Sequence, residues 1–233
     1  MTTEFEVLTA ELESFSYSVS HDLRAPVRAV IGFSRALEDD YAVCLDDEGR
    51  RLLTVVVSEA QRISELIDGL LAFSRVGRQP MEHVLVEMTV LACEVVNERA
   101  SPDPPSDVVI EIDDLPSVSG DHVLLRMVWE HLISNATKFS RLETLPRVRI
   151  WASQEPTRIV YNVQDNGVGF EMAYSDKLFG IFQKLHGGDN FSGTGIGLAI
   201  VKRIVHRHGG TVWADANLGE GATLSFALPI GRE

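Results

Sequence analysis

The chain has 233 residues, of which 45% are hydrophobic, a proportion typical of globular proteins and not of disordered ones. It carries 34 Asp and Glu against 21 Lys and Arg, and the resulting formal net charge of −13 argues against nucleic acid as a partner. Since neither a signal-peptide pattern nor an apolar run of about 18 residues is present, we expect a cytoplasmic protein with no direct membrane insertion.

Two amphipathic helices are predicted in the N-terminal part. Over residues 8–37 apolar residues recur at spacings of three and four, which draws one apolar stripe that includes Val19 and Leu23. A second helix is predicted to begin near Asp46, and its apolar residues have heptad spacing. Because a helical hairpin cannot enclose a core alone, we expect two copies to pair into a dimeric four-helix bundle. Packing of the hairpin on the C-terminal domain of the same chain is the alternative.

The rest of the chain has the mixed pattern of an α/β sandwich. Glycine and proline in Arg75–Pro80 mark a linker, so we place a helical domain at 1–77, a linker at 78–83 and a second domain at 84–233. Helices are predicted at 121–139 and after Gly195, the latter ending at Gly209–Gly210. Strands are predicted at 84–88, 108–112, 147–152, 159–164, 211–214 and 222–228.

His21 is the candidate nucleophile of the first predicted helix. At about 100° per residue it lies opposite the apolar stripe, so we expect its ring to face solvent. The neighbouring Asp22 can accept a hydrogen bond from Nδ1–H and so leave Nε2 free to attack. Pro26 removes a helical hydrogen bond, and we expect the helix to bend or loosen there. An ordinary solvated surface histidine is the alternative.

A first candidate binding cluster is Asp165-Asn-Gly167-Val-Gly169, which follows a predicted strand. Two glycines allow the backbone to approach a planar ring closely. A carboxylate can accept a hydrogen bond from an exocyclic amine such as N6 of adenine. Taken alone, the same residues also fit a plain Asn-Gly turn.

A second cluster, Gly193-Thr194-Gly195-Ile-Gly197, precedes a strongly patterned helix. A glycine-rich backbone at a helix N-terminus can offer N–H groups to phosphate oxygens, helped by the helix dipole. The pattern is weak by itself, since it lacks the lysine and serine of a P-loop. Residues 187–190, just before it, are predicted to form a loop that can act as a lid.

Asn135 and Lys138 form a third cluster, within one turn of the same predicted helix. An amide oxygen beside a cation suits Mg²⁺ and phosphate, with the metal keeping most of its water and bridging phosphate oxygens. Polar residues on a solvated helix face are the alternative.

In chain order, these segments resemble the sequence boxes of the sensor histidine kinases of two-component signalling. Residues 21–26 resemble the H box, the segment ending at Lys138-Phe139 the N box, 165–169 the G1 box, 179–182 the F box and 193–197 the G2 box. Five boxes in family order over nearly the whole chain make this resemblance specific. The chain is similar to the kinase modules of bacteriophytochromes and other soluble sensors.

The resemblance implies a dimerisation and histidine-phosphotransfer domain followed by a catalytic ATP-binding domain of the GHKL ATPase type. It implies that His21 is the phosphoacceptor, oriented or deprotonated by Asp22, and that Asn135 is the Mg²⁺ ligand. It implies that ATP is bound by Asn135, Lys138, Asp165, Gly167, Gly169, Gly193, Thr194, Gly195 and Gly197.

Three positions depart from the family pattern. Lys184 stands where the family often has an arginine, and by resemblance it stabilises charge on the γ-phosphate, though as a point charge and not as a fork. His131 stands where the N box often begins with asparagine, which puts a second amide contact near the metal in doubt. Ala25 replaces the threonine or asparagine that positions water for phosphatase action, so we predict weak phosphatase activity.

The sequence therefore predicts ATP- and Mg²⁺-dependent autophosphorylation of His21. The phosphoryl group then passes to an aspartate on the receiver domain of a response regulator. A degenerate kinase that serves as a nucleotide-binding dimeric scaffold or switch is the first alternative. A related ATPase, or a serine kinase of the same nucleotide fold, is the second.

Overall fold

The computed structural model describes residues 2–99, 108–185 and 193–230, and in these ranges it describes every side chain except those of residues 2–17, His21 and Arg99. The chain divides into two compact units, Met1–Arg78 and Gln79–Glu233. The first unit is helical and the second is an α/β unit, which confirms the predicted fold class. The predicted loop at 187–190 lies outside the described residues.

The first unit is a hairpin of two long helices, α1 (Thr2–Tyr41) and α2 (Asp47–Arg78). The second helix begins where predicted because the Asp46 side chain accepts a hydrogen bond from the Gly49 N–H at 2.8 Å. Two acidic residues in the first turn of α2 complement the positive end of the helix dipole.

Both helices are longer than the sequence predicts. Helix α1 continues through Pro26 as far as Tyr41, so the loosening expected at the proline does not end the helix. Helix α2 continues to Arg78, which makes most of the segment 75–80 helical. The glycine at position 77 is tolerated inside the last turn of the helix, at a cost of about 1 kcal/mol relative to alanine.

The predicted stripe of α1 is not its buried row. Val19 and Leu23 are 36% and 46% exposed, whereas Ser20 and Ser34 are buried. A single partner helix covers only one row of α1, and apolar residues occupy more of its surface than α2 can cover. Apolar side chains therefore stay exposed on both helices: Val30, Phe33, Leu37, Tyr41, Leu52, Val55, Val56 and Ile63.

The second unit is built on a mixed five-stranded sheet. Its strands are β2 (Val109–Ile112), β4 (Arg147–Gln154), β5 (Arg158–Asp165), β6 (Thr211–Asn217) and β7 (Gly221–Pro229), in the order β2-β4-β5-β7-β6. Strands β2 and β4 are parallel, and the other neighbours are antiparallel. Two short strands, β1 (Val84–Val86) and β3 (Val118–Gly120), pair antiparallel as a separate ribbon.

Helices α4 (His122–Ser140) and α6 (Gly197–Arg207) pack against the sheet. Trp129 of α4 is fully buried and meets the rings of Tyr161 and Phe226 edge-on, at centroid distances of 6.0 and 5.3 Å. Those two rings stack on each other at 5.0 Å. This aromatic cluster fixes the rotation of α4 about its axis. It thereby also sets the direction in which the side chains on the opposite face of α4 point.

Four elements differ from the predicted ones. Met88 does not end the first strand but begins helix α3 (Met88–Arg99), because the Glu87 carbonyl accepts the Leu91 N–H at 3.1 Å and starts a helical turn. Strand β3, the 3₁₀ turn at Met172–Tyr174 and the four-residue helix α5 (Ser175–Leu178) were not predicted. Segments of three or four residues are too short to show a hydrophobic period.

Candidate functional site

Helix α4 is the element around which the candidate residues of the α/β unit are arranged. It begins at a buried cap, since the Asp121 carboxylate accepts the Leu124 N–H at 3.0 Å. The other oxygen of the same carboxylate accepts the Glu82 N–H at 3.1 Å. The start of the helix is therefore tied to the segment that leads into this unit.

One face of α4 carries His131, Asn135 and Lys138, at spacings of four and three, and all three are half-buried. The glycine segment Gly193–Gly197 runs beside this face. An ideal Cβ on Gly193 would lie 3.3 Å from the Lys138 Nζ, and one on Gly197 would lie 3.0 Å from the His131 Nδ1. The two ends of the glycine segment thus meet two different turns of α4, with Asn135 between them.

The Lys138 ammonium is a partly desolvated positive charge. Burial lowers the pKa of Lys138, and the positive charge of Lys184 lowers it further. Its Nζ lies 4.3 Å from the centroid of the Phe139 ring, and among the described residues Lys138 forms no ion pair. Two lysines that repel each other beside an open glycine backbone favour an anionic ligand.

Gly195 holds the glycine segment against the backbone of the F box region. Its φ is +72°, and a Cβ there would lie 2.7 Å from the Gln183 carbonyl oxygen. Phe182 itself has a φ of 61°, a left-handed conformation that is uncommon for a bulky residue. Thr194 is half-buried between the exposed Gly193 and this contact. Only glycine fits at position 195, since a side chain would push the two segments apart.

Asp165 ends strand β5 and is only 5% exposed. Burial raises the pKa of its carboxyl to about 6, while hydrogen bonds from the Gly167 N–H (2.9 Å) and the Ala222 N–H oppose that rise. The carboxyl is therefore held in a fixed orientation by backbone donors, in an apolar setting. Such a group can accept a further hydrogen bond with high directional specificity.

The glycines after Asp165 are required by close backbone contacts. A Cβ on Gly167 would overlap the Phe139 carbonyl at the end of α4, and one on Gly169 would overlap the Asn217 carbonyl. The Val168 N–H also donates to the Phe139 carbonyl, at 3.4 Å. The turn that carries Asp165 is thus packed against the same helix as the glycine segment.

The structure brings the candidate residues of the α/β unit around the C-terminal half of α4. His21 and Asp22 belong to α1 in the other unit. The His21 side chain, and with it the expected solvent-facing ring, lies outside the described part of the chain. Asp22 is exposed, as are Ala25 and Arg28 further along the helix.

Two further residues shape the site: Phe182, which the sequence offered only as the last residue of the F box, and Gly221, which was not singled out from the sequence. Phe182, with its left-handed backbone, forms the surface that Gly195 packs on. Gly221, with a φ of +93°, allows β7 to pass so close to Asp165 that a Cβ would overlap the Asp165 carbonyl. For Gly221 the available sequence signal was a glycine directly before a predicted strand. That signal does not reveal which residue the glycine approaches.

A metal ion has little to bind in the described residues alone, since they contain no group of three or more His, Cys, Asp or Glu side chains able to hold one. The half-buried amide of Asn135 lies on the α4 face that meets the glycine segment. This donor set fits a magnesium ion that is held mainly by ligand phosphates and water. Among the described helices, none is both long and apolar enough to cross a membrane.

Two family models match the chain. Residues 11–79 match the His Kinase A (phospho-acceptor) domain, and residues 120–232 match the histidine kinase-, DNA gyrase B- and HSP90-like ATPase. Phytochrome-like protein Cph1 of Synechocystis is 32% identical over 100% of this chain, and cyanobacterial phytochrome A of Nostoc is 36% identical over 98%. The chain spans 31% and 30% of those two relatives, about a third of their length.

Solved structures of histidine kinases share the fold. Full-length ShkA in complex with AMPPNP matches 94% of this chain and 46% of its own, with a TM-score of 0.68 and 27% identity. The mycobacterial sensor histidine kinase MprB matches 64% of this chain and 97% of its own, with a TM-score of 0.56 and 27% identity. Both domain models, in this order and on these two units, show that the chain belongs to the sensor histidine kinases, with a kinase module similar to those of phytochrome-like proteins.

Proposed function

We propose that this chain binds Mg²⁺-ATP in its α/β unit, phosphorylates His21, and passes the phosphoryl group to an aspartate on a response regulator. The observation that carries the proposal is the arrangement around α4. The turn that carries the buried Asp165 carboxyl packs on the C-terminal end of that helix. Lys138, in the last turn of the helix, lies beside an open glycine backbone with the positive charge of Lys184 nearby, and neither lysine forms an ion pair among the described residues.

The two regions suit the two ends of a nucleotide. The fixed Asp165 carboxyl would accept a hydrogen bond from the exocyclic amine of adenine, and Gly167 and Gly169 let the turn that carries it pack closely against the backbone of Phe139 and Asn217. The backbone of Gly193–Gly197, with Lys138 and Lys184, would bind the phosphates. The N-terminus of α6 has no side-chain cap, so its N–H groups are open to a phosphate oxygen.

Asn135 would hold the magnesium ion together with the phosphate oxygens. Bound magnesium neutralises charge that develops on the β- and γ-phosphates during transfer. The protein residues then have mainly to orient the nucleotide and to exclude water from it. The glycine contact with Phe182–Gln183 fixes the segment that performs this orientation.

The chemical step is an attack by the His21 Nε2 on the γ-phosphorus. The new N–P bond forms as the bond to the β,γ-bridging oxygen breaks, and ADP leaves with that oxygen. Asp22 would accept the Nδ1–H hydrogen bond and stabilise the positive charge on the ring. In the second step, a carboxylate oxygen of the receiver aspartate attacks the same phosphorus and releases the neutral imidazole.

Two features support the partners proposed. Exposed apolar residues on both hairpin helices, including Phe33 and Leu37, suit pairing of two chains through this unit. The small exposed side chain of Ala25 offers no hydroxyl or amide to position water, which supports weak phosphatase activity toward the regulator.

The test is incubation with γ-labelled ATP and magnesium. We expect acid-labile, alkali-stable label on the wild type and none on His21→Gln. Label that survives this substitution would exclude His21 as the acceptor.

Nucleotide binding is measured on the same variants as a control. His21→Gln should bind ATP as the wild type does, since position 21 lies outside the α/β unit. A wild type that binds ATP without forming phosphohistidine would favour the scaffold or switch, and steady ATP turnover without a phosphoenzyme would favour an ATPase.

A further inference from the structure

We infer that the imidazole of His208 is an acid-sensitive latch on the segment that enters the α/β unit. The neutral ring holds this entry segment, residues 79–83, and a ring that has taken up a proton releases it. The entry segment follows helix α2 directly and leads into strand β1. A change in its attachment therefore alters the chain connection between the two units.

The neutral His208 ring joins the end of helix α6 to the start of helix α4. The Asp121 N–H donates to its Nε2 at 3.0 Å, and its own Nδ1–H donates to the Ile204 carbonyl at 2.8 Å. Only the neutral tautomer with its proton on Nδ1 can make both hydrogen bonds. The residue is 7% exposed, so water has little access to either bond.

The entry segment is attached to this junction at two points. The Glu82 N–H donates to an Asp121 carboxylate oxygen at 3.1 Å, and the Arg207 guanidinium donates to the Gln79 carbonyl at 2.5 Å. Arg207 is the last residue of α6, and His208 is its C-cap. Because the imidazole contacts Asp121 and directly follows Arg207, a movement of the ring disturbs both attachments.

The His208 site has no space for a second donor. A Cβ on Gly120 would lie 3.0 Å from the ring Cδ2 and 3.1 Å from its Nε2, so the backbone before Asp121 packs directly on the ring. A proton on Nε2 would place two donors, the new N–H and the Asp121 N–H, face to face at 3.0 Å. Protonation therefore displaces either the ring or the backbone of residues 120–121.

The surroundings of the ring favour its neutral form while the latch is closed. Burial has the largest effect and lowers the pKa of His208, and the hydrogen bond with the Ile204 carbonyl opposes that change. Three charged or titratable groups on neighbouring segments also act on the ring. The His83 ring, 6.1 Å away between centroids, and the Arg207 guanidinium lower its pKa, whereas the Asp121 carboxylate raises it.

Acid must therefore weaken the closed latch. In the open form the ring regains its ordinary pKa of 6.5, so the open form binds a proton more tightly than the closed form. Each pH unit below 6.5 favours the open form by up to about tenfold, until the lower pKa of the closed form is reached.

Hydrogen exchange at pH 7.5 and pH 5.5 tests the latch, with each rate divided by the intrinsic rate at the same pH. In the wild type, we expect the protection of the Glu82 and Asp121 amides to fall about five- to tenfold at the lower pH. In His208→Gln, whose amide oxygen can accept the Asp121 N–H but takes up no proton, the fall should be less than about twofold. His206→Gln, at an exposed histidine of the same helix, is the matched control and should behave as the wild type.

A titration of the wild type by NMR keeps the test valid even if His208→Gln does not fold. The Asp121 amide resonance should shift with the same midpoint as the His208 ring, below pH 6.5. Protection that does not change with pH in the wild type, or an equal fall in His208→Gln, would overturn the inference. A ring that takes up its proton while the Asp121 amide stays protected would overturn it as well.

Discussion

Asp165 shows how one residue can oppose stability and support binding. Its carboxyl is buried at the end of β5, and that burial raises its pKa to about 6. At neutral pH the folded protein nevertheless holds it ionised. The shift from an ordinary value of 3.8 corresponds to a cost of about 3 kcal/mol in folding free energy at pH 7.

We therefore predict that Asp165→Asn stabilises the nucleotide-free protein while it abolishes nucleotide binding. The amide removes the buried charge and can still accept the Gly167 N–H, so the gain at pH 7.5 should be about 1–3 kcal/mol. Thermal unfolding with and without AMPPNP measures both effects. AMPPNP should raise the melting temperature of the wild type and not that of the variant.

The pH dependence of this gain has a definite sign. A carboxyl whose folded pKa is raised stabilises the protein below its unfolded pKa, and that stability is lost as the pH rises through the folded value near 6. The extra unfolding free energy of Asp165→Asn relative to the wild type should therefore shrink as the pH falls from 7.5 to 4.5. An advantage that is constant with pH would show that the buried charge is not its cause.

At the scale of elements, a small buried network joins the entry segment of the α/β unit to two helices. The His208 Nε2 accepts the Asp121 N–H at 3.0 Å, and its Nδ1–H donates to the Ile204 carbonyl at 2.8 Å. Burial lowers the pKa of His208, so the neutral ring that makes both bonds is favoured. Arg207 adds a hydrogen bond to the Gln79 carbonyl at 2.5 Å.

We predict that Asp121→Ala destabilises the α/β unit by about 2–3 kcal/mol. The substitution removes the cap of α4 and leaves the Glu82 N–H without its acceptor. All three tryptophans lie in this unit, at positions 129, 151 and 213, so urea unfolding followed by tryptophan fluorescence reports on it directly.

Asp46→Ala is the matched control for Asp121→Ala. It removes a helix cap of the same kind, but in the helical unit and at an exposed position. The substitution should destabilise the helical unit by about 1 kcal/mol and leave the urea midpoint of the tryptophan fluorescence transition unchanged. Equal shifts in the two variants would mean that the Asp121 network adds nothing beyond a helix cap.

The elements that the sequence predicts well are those with local chemistry. The start of α2 at Asp47 and the start of α4 after Asp121 follow from capping side chains, and the end of α6 follows from Gly209 with its φ of +74°. The candidate residues on α4 were found because their spacing is helical. Their contacts with Gly193 and Gly197 depend on tertiary packing, which a one-dimensional pattern does not contain.

The errors have the same physical origin. Val19 and Leu23 do recur with the period of a helix. Which row of α1 is buried depends, however, on which face of α1 meets α2. Met88 lies between Glu87 and Thr89 in a largely apolar segment that fits a strand or a helix equally well. Phe182 takes a left-handed backbone at the point where Gly195 packs closely against it, and nothing local in the sequence demands that conformation.

At the scale of the whole molecule, charge and apolar surface act against each other in dimer formation. Each chain carries a formal charge of −13, so two chains repel at long range. The exposed apolar rows of α1 and α2 must supply the attraction. The proposed dimer should therefore become tighter with added salt, because salt screens the repulsion and leaves the apolar contact intact.

We predict that Phe33→Glu converts the dimer to a monomer without unfolding it. Phe33 is 74% exposed in the single chain, so the substitution costs the hairpin little by itself, but a dimer interface would bury two uncompensated carboxylates. Light scattering after size exclusion should give a mass near the 25.7 kDa of one chain. Val43→Glu is the control, since Val43 is 97% exposed in the turn between the helices and should leave the dimer intact. A dimer that persists in Phe33→Glu would place the interface elsewhere on the chain.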